Sequence, residues 1–368
     1  MQGKRKIKVL HVVEALGGGV YSYFTDLSHV MAMDPRVITY VAYSNKRNEI
    51  DAQKVDSDLH ADTQLILLDM NKEISISADL RGIRQIVDTI KKVEPDIVHL
   101  HSSKAGILGK IAVWISNFNG PSYYTPHGYA FLRQDISQSK RFFYKWIEHL
   151  FARFSKTVTV ACGDTEWSLA VRMKSTARLI RNGIRLEQIK DVKRHLALER
   201  LTLGTLGRIS YQKNPSRFND FARQLPKNKF LWIGSGDLKN QITSPNVEIT
   251  GWFTQKSDAV PYLKKLDVYV QTSLWEGLPI AVIEAMAMGL PVIASDVIGN
   301  KDLVDHGRTG FLISQNSQLH DFVRQLENVD VRDAMGKAAR KRVEELYDCE
   351  KNFSQLVDLY LCDLSSIR

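Results

Sequence analysis

Apolar residues fall along this chain in short, near-continuous blocks, separated by longer stretches in which they recur at helical spacing. Blocks at 8–13, 37–43, 65–68, 97–101, 123–125 and 158–161 predict strands buried on both faces. Between them, residues 21–31, 105–115 and 141–156 read as helices. Leu80, Ile83, Ile86, Val87, Ile90 and Val93 keep the same period until Glu94-Pro95 stops it. The alternation restarts after residue 200. Strands are predicted at 201–206, 230–233, 247–250, 268–271, 292–295 and 310–313, helices at 218–225 and 280–288, and further helices from 318 to 361. Repeated strand–helix units require a parallel sheet with helices on both faces. Two such cycles predict two doubly wound α/β domains, 1–185 and 200–349, joined by the polar segment 186–199. Ligands of such sheets bind at the carboxyl ends of the strands, so a cleft between the two domains is the expected site.

One stretch concentrates the candidate chemistry. In TSLWEGLPIAVIEAMAMGLPVIASD, residues 272–296, a Gly-Leu-Pro turn leads into an apolar helix that Gly289 closes and a buried strand follows. Glu276 precedes the helix and Glu284 lies within it. Acids in such apolar company cost free energy unless they have partners. Either they complement the helix end and cap a neighbouring loop, or they flank a helix N-terminus that receives an anion.

Other candidates are each ambiguous alone. Gly17-Gly18-Gly19 opens the first helix, as a phosphate-binding turn or as a plain tight turn; it is neither a dinucleotide fingerprint nor a Walker loop. Arg208 and Lys213, in GRISYQKN, can neutralise a diphosphate at a strand end or line a solvated loop. His127 follows a strand in YTPHGYAF and is either a structural or a catalytic histidine. His99 and His101 share a strand face, but the sequence offers no third ligand near them, so no metal site is predicted. Asp56-Ser57-Asp58 has the form of a metal-binding acid pair, yet it lies in a polar run without a leading strand and reads as solvated surface. Phe142, Phe143, Trp146, Ile147, Leu150, Phe151 and Phe154 form one helical stripe among Lys140, Arg141, Lys145, Arg153 and Lys156. Such a helix can lie on an anionic membrane or pack on the sheet, and packing is the expectation.

Composition narrows the class. The content, 44% hydrophobic and 25% charged over 368 residues, is that of a soluble globular protein. Three scattered cysteines form no disulfide framework and suggest a reducing compartment. No apolar run is long enough for a membrane span, and His11 and Glu14 make the amino-terminal apolar run a strand rather than a signal core. The net charge of +9 is uneven: through residue 190, 27 Lys and Arg stand against 19 Asp and Glu. A basic first half predicts an acidic partner, a membrane surface or a phosphorylated substrate. Nothing matches a nucleic-acid-binding motif, so nucleic acid is not expected.

Taken together, these segments resemble glycosyltransferase family 4, whose members are retaining enzymes of the GT-B fold, two Rossmann-like domains facing across a cleft. The resemblance covers most of the chain and rests on the order of GRISYQKN, IGSGDL, EGLPIAVIE, GLPVIASD and DHGRTGFLI, with the glycine loop, the HG of YTPHGYAF and RNGI before them. Two departures stand out: Leu278 follows Gly277 where the family has Phe-Gly, and Ile298–Asp302 replaces a Gly-x-Pro-Glu segment. The resemblance implies an acceptor-binding first domain completed by the last helix, 350–368, and a nucleotide-sugar-binding second domain. It implies that Arg208 and Lys213 hold the leaving diphosphate, Glu284 the ribose and Glu276 the donor sugar. It further implies backbone amides of Gly277, Leu278, Pro279 and Ile280 at sugar or phosphate oxygens (Pro279 itself has no N–H), His127 at the sugar, Gly18 and Gly19 near the diphosphate, and the base near Trp252 and Phe253. The expected reaction moves a hexose or N-acetylhexosamine, from a UDP-linked donor and without a metal or other cofactor, to a lipid-diphosphate-linked saccharide. The expected place is the cytoplasmic face of the plasma membrane, held there by the basic first domain. A nucleotide-sugar epimerase of the same fold, or a non-catalytic sugar-nucleotide or lipid binder, is the alternative.

Overall fold

The computed structural model describes residues 5–46, 52–71, 73–189, 200–253 and 256–367. The chain divides into two compact units, one of Met1–Phe131, Gln138–Asn182 and Cys349–Arg368, the other of Leu132–Ser137 and Gly183–Asp348.

The first unit is a seven-stranded parallel sheet. Its strands are β1 (Ile7–Ala15), β2 (Val37–Ser44), β3 (Gln64–Leu67), β4 (Ile97–His101), β5 (Ser122–Thr125), β6 (Val158–Ala161) and β7 (Ala177–Leu179), in the order β3-β2-β1-β4-β5-β6-β7. The connecting helices are α1 (Gly18–Met33), α2 (Ala52–Asp58), α3 (Ile76–Val93), α4 (Ser103–Ile115), α5 (Gln138–Phe154) and α6 (Asp164–Arg172). β1 pairs with β2 on one side and β4 on the other, which is why Val9 through Val13 are all fully buried, His11 included. α6 and β7 arise from a mixed segment with no clear period and were not predicted. α2 occupies the polar run 52–58 and buries only Val55.

The second unit follows the same plan. Its elements are β8 (Thr202–Leu206), α7 (Pro215–Gln224), β9 (Lys229–Ile233), β10 (Val247–Ile249), α8 (Val260–Leu263), β11 (Val268–Gln271), α9 (Ile280–Ala287), β12 (Val292–Ser295), α10 (Asn300–Leu303), β13 (Gly310–Ile313), α11 (Leu319–Glu327) and α12 (Val329–Leu346). The parallel order is β10-β9-β8-β11-β12-β13. α9 is apolar almost all round and is accordingly buried on nearly every residue. The final helix, α13 (Cys349–Ser365), belongs to the first unit, where Phe353, Leu356, Val357 and Tyr360 join the core against α1. Of the segment 186–199, Leu186–Ile189 is a short 3-10 turn and the remainder lies outside the described residues.

One expectation fails. The aromatic stripe of α5 does not pack on the sheet: Phe142, Trp146 and Phe154 are 73%, 52% and 74% exposed, and Phe143 and Leu150 are exposed too. The one buried residue of α5 is an acid, Glu148. Its Oε1 accepts from the Tyr124 hydroxyl at 2.8 Å, and the Lys110 ammonium of α4 lies 3.9 Å from the centre of the Tyr124 ring. Burial raises the Glu148 pKa and lowers that of Lys110, each against the attraction of the other. α5 is therefore anchored by a polar contact, and its aromatic face is left to solvent.

Candidate functional site

All strands of the second unit run parallel, so their carboxyl ends form one edge of its sheet. Arg208 follows β8, Trp252 and Phe253 follow β10, and Glu276 follows β11, which places the predicted donor residues of this unit along that edge. Arg208 is exposed, Trp252 is exposed, and Phe253 packs on Tyr262 with ring centres 5.2 Å apart.

Glu276 is the centre of the arrangement. Its Oε1 accepts from Lys213 Nζ at 2.8 Å, Gln271 Nε2 at 2.9 Å and Ser273 Oγ at 2.6 Å, and its Oε2 accepts from Gln212 Nε2 at 3.1 Å. Gln212 also donates to the Trp275 carbonyl, and Leu274 N donates to the Gln212 carbonyl at 2.8 Å, so the loops after β8 and β11 are tied together. A buried carboxylate needs this many donors to offset its lost hydration. Lys213 and Glu276, taken in the sequence for separate contacts, are thus an ion pair with each other. Gln212, Gln271 and Ser273 were missed in the sequence, where polar residues at loop positions carry no signal of convergence.

The Gly277–Pro279 turn then starts α9, whose first turn contains no acidic residue and no side-chain cap, leaving its positive end available to an anion. Ile280 and Leu278 are buried. Glu284, just over one turn along, is buried in the same helix. Burial foremost, and then the charges of Glu284 and Glu276, raise the pKa of the Tyr269 phenol. Gly299, within the departure from the family pattern, has a definite role here. At φ 84 it lies against the turn, and a Cβ there would meet the Gly277 carbonyl oxygen at 2.3 Å and the Glu276 Cβ at 3.0 Å. Only glycine fits.

The matching edge of the first unit carries Gly18, Gly19 and His127. Gly18 (φ 56) and Gly19 are exposed at the start of α1, and a Cβ on Gly18 would meet nothing within 4 Å among the described residues. His127, half-buried just past β5, adopts φ 53, an uncommon backbone for a residue with a Cβ. The turn is held by Glu166 of α6, whose two oxygens accept from Gly128 N and Cys162 N, both at 2.8 Å.

Behind His127 lies a feature that sequence spacing could not disclose. His11 on β1 is in register with His99 on β4, and His101 lies two residues further on the same face. The sequence offered no third ligand for His99 and His101, whereas the sheet supplies His11, and nitrogens of all three lie within 4.8 Å of one another. Five of their six ring nitrogens are hydrogen-bonded. His11 Nδ1 meets His101 Nε2 at 3.0 Å, His101 Nδ1 meets His127 Nε2 at 3.0 Å, and His99 bonds the Tyr360 and Thr125 hydroxyls. Desolvation lowers the pKa of His11 and of His127 to about 3 and holds His99 and His101 well below the usual value. The rings are therefore neutral at ordinary pH, and their pairing suits a hydrogen-bonded chain. Asp56 and Asp58 lie on α2, with Asp58 Oδ2 accepting from the Tyr21 hydroxyl at 2.6 Å.

Residues 17–188 match the family described as Glycosyltransferase Family 4, and residues 200–329 match the one described as Glycosyl transferases group 1. A curated relative, the UDP-Gal:alpha-D-GlcNAc-diphosphoundecaprenol alpha-1,3-galactosyltransferase of Escherichia coli, is 31% identical over 79% of this chain and 81% of its own length. A capsular polysaccharide biosynthesis glycosyltransferase of Staphylococcus aureus is 26% identical over 80% of this chain and 84% of its own. Among solved structures, sucrose-phosphate synthase from Thermosynechococcus elongatus superposes with a TM-score of 0.82 at 18% identity, covering 98% of this chain and all of its own. Anabaena HepE in complex with UDP and glucose gives a TM-score of 0.75 at 18% identity over 96% and 99%. These two share the fold, GT-B, with the present chain.

Proposed function

The chain belongs to glycosyltransferase family 4, and we propose that it is a retaining hexosyltransferase acting from a UDP-linked hexose or N-acetylhexosamine onto a lipid-diphosphate-linked saccharide in surface polysaccharide synthesis. The observation that carries this reading is the Lys213–Glu276 pair at the foot of an open helix N-terminus. Transfer from a nucleotide sugar requires departure of a dianionic diphosphate from an oxocarbenium-like centre, and fixed positive groups aimed at the developing charge lower that barrier. A lysine ammonium has three N–H groups; one goes to Glu276, which leaves the others for phosphate oxygens. Arg208 supplies a second cation, and the amides of Gly277, Leu278 and Ile280 a third source of positive potential, with Pro279 fixing the turn. Glu276, already polarised by its donors, accepts a sugar hydroxyl, and Glu284 accepts the ribose hydroxyls. Trp252 and Phe253 border the base. Gly18 and Gly19 permit backbone approach to the diphosphate, and His127 hydrogen-bonds the sugar.

Cationic and helix-end stabilisation of the leaving group supports a metal-independent reaction. The Escherichia coli relative's named donor and acceptor support the UDP-sugar and the lipid-diphosphate acceptor. The acceptor belongs to the first unit, and its basic, aromatic helix α5 supports attachment to an anionic membrane face on the cytoplasmic side. No helix among the described residues is long and apolar enough to cross a membrane.

The test is a thermal-shift panel of UDP-, GDP- and ADP-sugars, followed by transfer of labelled sugar to synthetic lipid-diphosphate-linked N-acetylglucosamine with and without EDTA. A matching donor at a hundred times its dissociation constant stabilises by about 2.7 kcal/mol. Donor conversion without acceptor would instead identify an epimerase. Loss of transfer in EDTA would overturn the metal-independent mechanism, and no response to any UDP-sugar would overturn the donor.

A further inference from the structure

The buried histidines give His127 a defined protonation pattern. His11 and His101 are buried and His127 is half-buried, and desolvation depresses the pKa of all three, so each is neutral; a neutral imidazole carries one N–H and one bare nitrogen. The contacts His127 Nε2 to His101 Nδ1 and His101 Nε2 to His11 Nδ1 are each 3.0 Å and each need one proton. His101 stands in the middle, so it must donate on one side and accept on the other. Only two patterns satisfy both bonds. With the protons pointing inward, His127 donates to His101 and His101 to His11, which leaves an N–H on His11 Nε2. With the protons pointing outward, His11 donates to His101 and His101 to His127, which leaves a proton on His127 Nδ1.

The far end decides between them. His11 Nε2 is buried and has no hydrogen-bond partner among the described residues. A stranded N–H is rarer in protein interiors than a stranded acceptor, so the outward pattern is favoured. The surroundings keep the rings in place. His99 stacks on His101 at 4.2 Å while its own nitrogens bond Tyr360 and Thr125, and Tyr23 meets the His127 ring edge-on at 4.6 Å.

We infer that His11 and His101 are positioning residues that fix the tautomer of His127, so that its Nδ1–H is presented as a donor to a hydroxyl oxygen of the transferred sugar. This rests on the reading of His127 as a sugar contact. It adds a polarity: the site recognises a sugar oxygen as acceptor and refuses a group that must donate to Nδ1.

The test uses the full chain labelled with 15N-histidine, with imidazole nitrogen spectra assigned through His127→Asn. The expected signature is a protonated Nδ1 and a pyridine-like Nε2 on His127, the reverse of the tautomer that free histidine prefers in water. His101→Phe should release His127 to the Nε2–H form and lower kcat/KM at least tenfold. His101→Asn, whose amide N–H stands where Nδ1 did, should restore most of that loss. A wild-type His127 with Nε2–H overturns the inference, and that spectrum decides it even where a core variant fails to fold. A His101→Phe protein that retains the Nδ1–H signal also overturns it. An inactive wild type with the outward signature would count against the transferase reading alone.

Discussion

The Lys213–Glu276 pair makes the sharpest demand on the structure. Lys213→Met keeps the aliphatic stem and removes the charge 2.8 Å from Glu276 Oε1. At an effective dielectric of about 20, that attraction is gross about 6 kcal/mol. Most of it is offset, because both groups are hydrated in the unfolded chain and removing the lysine also removes its desolvation cost. Glu276 keeps its bonds from Gln271, Ser273 and Gln212, so the net loss should be about 2 kcal/mol, the scale of a hydrogen bond to a charged group. For a unit of this size that lowers Tm by about 4–8 °C. Glu276→Gln should cost more, about 3–4 kcal/mol. Its amide must turn an NH2 toward one of the present donors, and Lys213 is left without its counter-charge. In the double variant the second change should cost about 2 kcal/mol less than it does alone. Thermal and denaturant unfolding of the four proteins measures the cycle, and labelled-donor transfer measures activity. On the leaving-group role, Lys213→Met should lose about 100- to 1000-fold in kcat. Additivity within about 0.5 kcal/mol would show that the pair is not coupled in solution. Unchanged kcat would remove Lys213 from the chemistry.

Three further outcomes follow from the same geometry. Burial lowers the pKa of His11 from 6.5 to about 3, so its contribution is fully present above pH 6.5 and lost as pH falls toward 3. At pH 4.5 His11 alone should cost about 3 kcal/mol, and His11→Phe should flatten the acid limb of a Tm-against-pH series; an unaltered limb would refute the assignment. Gly299→Ala, with its Cβ at 2.3 Å from the Gly277 carbonyl, should cost more than about 1–2 kcal/mol and weaken donor-induced stabilisation, and a protein with wild-type Tm would show the turn to be looser than described. Phe142→Glu with Trp146→Glu should abolish low-salt co-sedimentation with anionic vesicles while leaving Tm unchanged, since both rings are exposed; equal sedimentation would remove α5 as the contact.

Much of the fold was legible in the sequence because a parallel sheet covered on both faces needs continuous apolar strands, and those blocks stand out at β1, β4, β11 and β12. The turn and helix at 277–288 were legible for the same reason, with Pro and Gly at the boundaries. α6 and β7 were not, because a three-residue edge strand has no period to detect. The aromatic face of α5 shows the limit of an amphipathic pattern: the period gives one apolar face, but which way it turns depends on the neighbouring helix. Here Lys110 and Tyr124 hold Glu148 inward, and the rings are left outside.

The sequence by itself determined the two α/β units, the family and the candidate residues Glu276, Glu284, Arg208, Lys213 and His127, since local period and motif order are one-dimensional properties. Only the tertiary structure decided what those residues do to one another. Lys213 and Glu276 are 63 residues apart and become a pair because β8 and β11 are neighbours in the sheet. His11 and His101 are 90 apart and meet because β1 and β4 are. Strand order is set by how the whole chain buries its apolar surface, and no short stretch of sequence contains it.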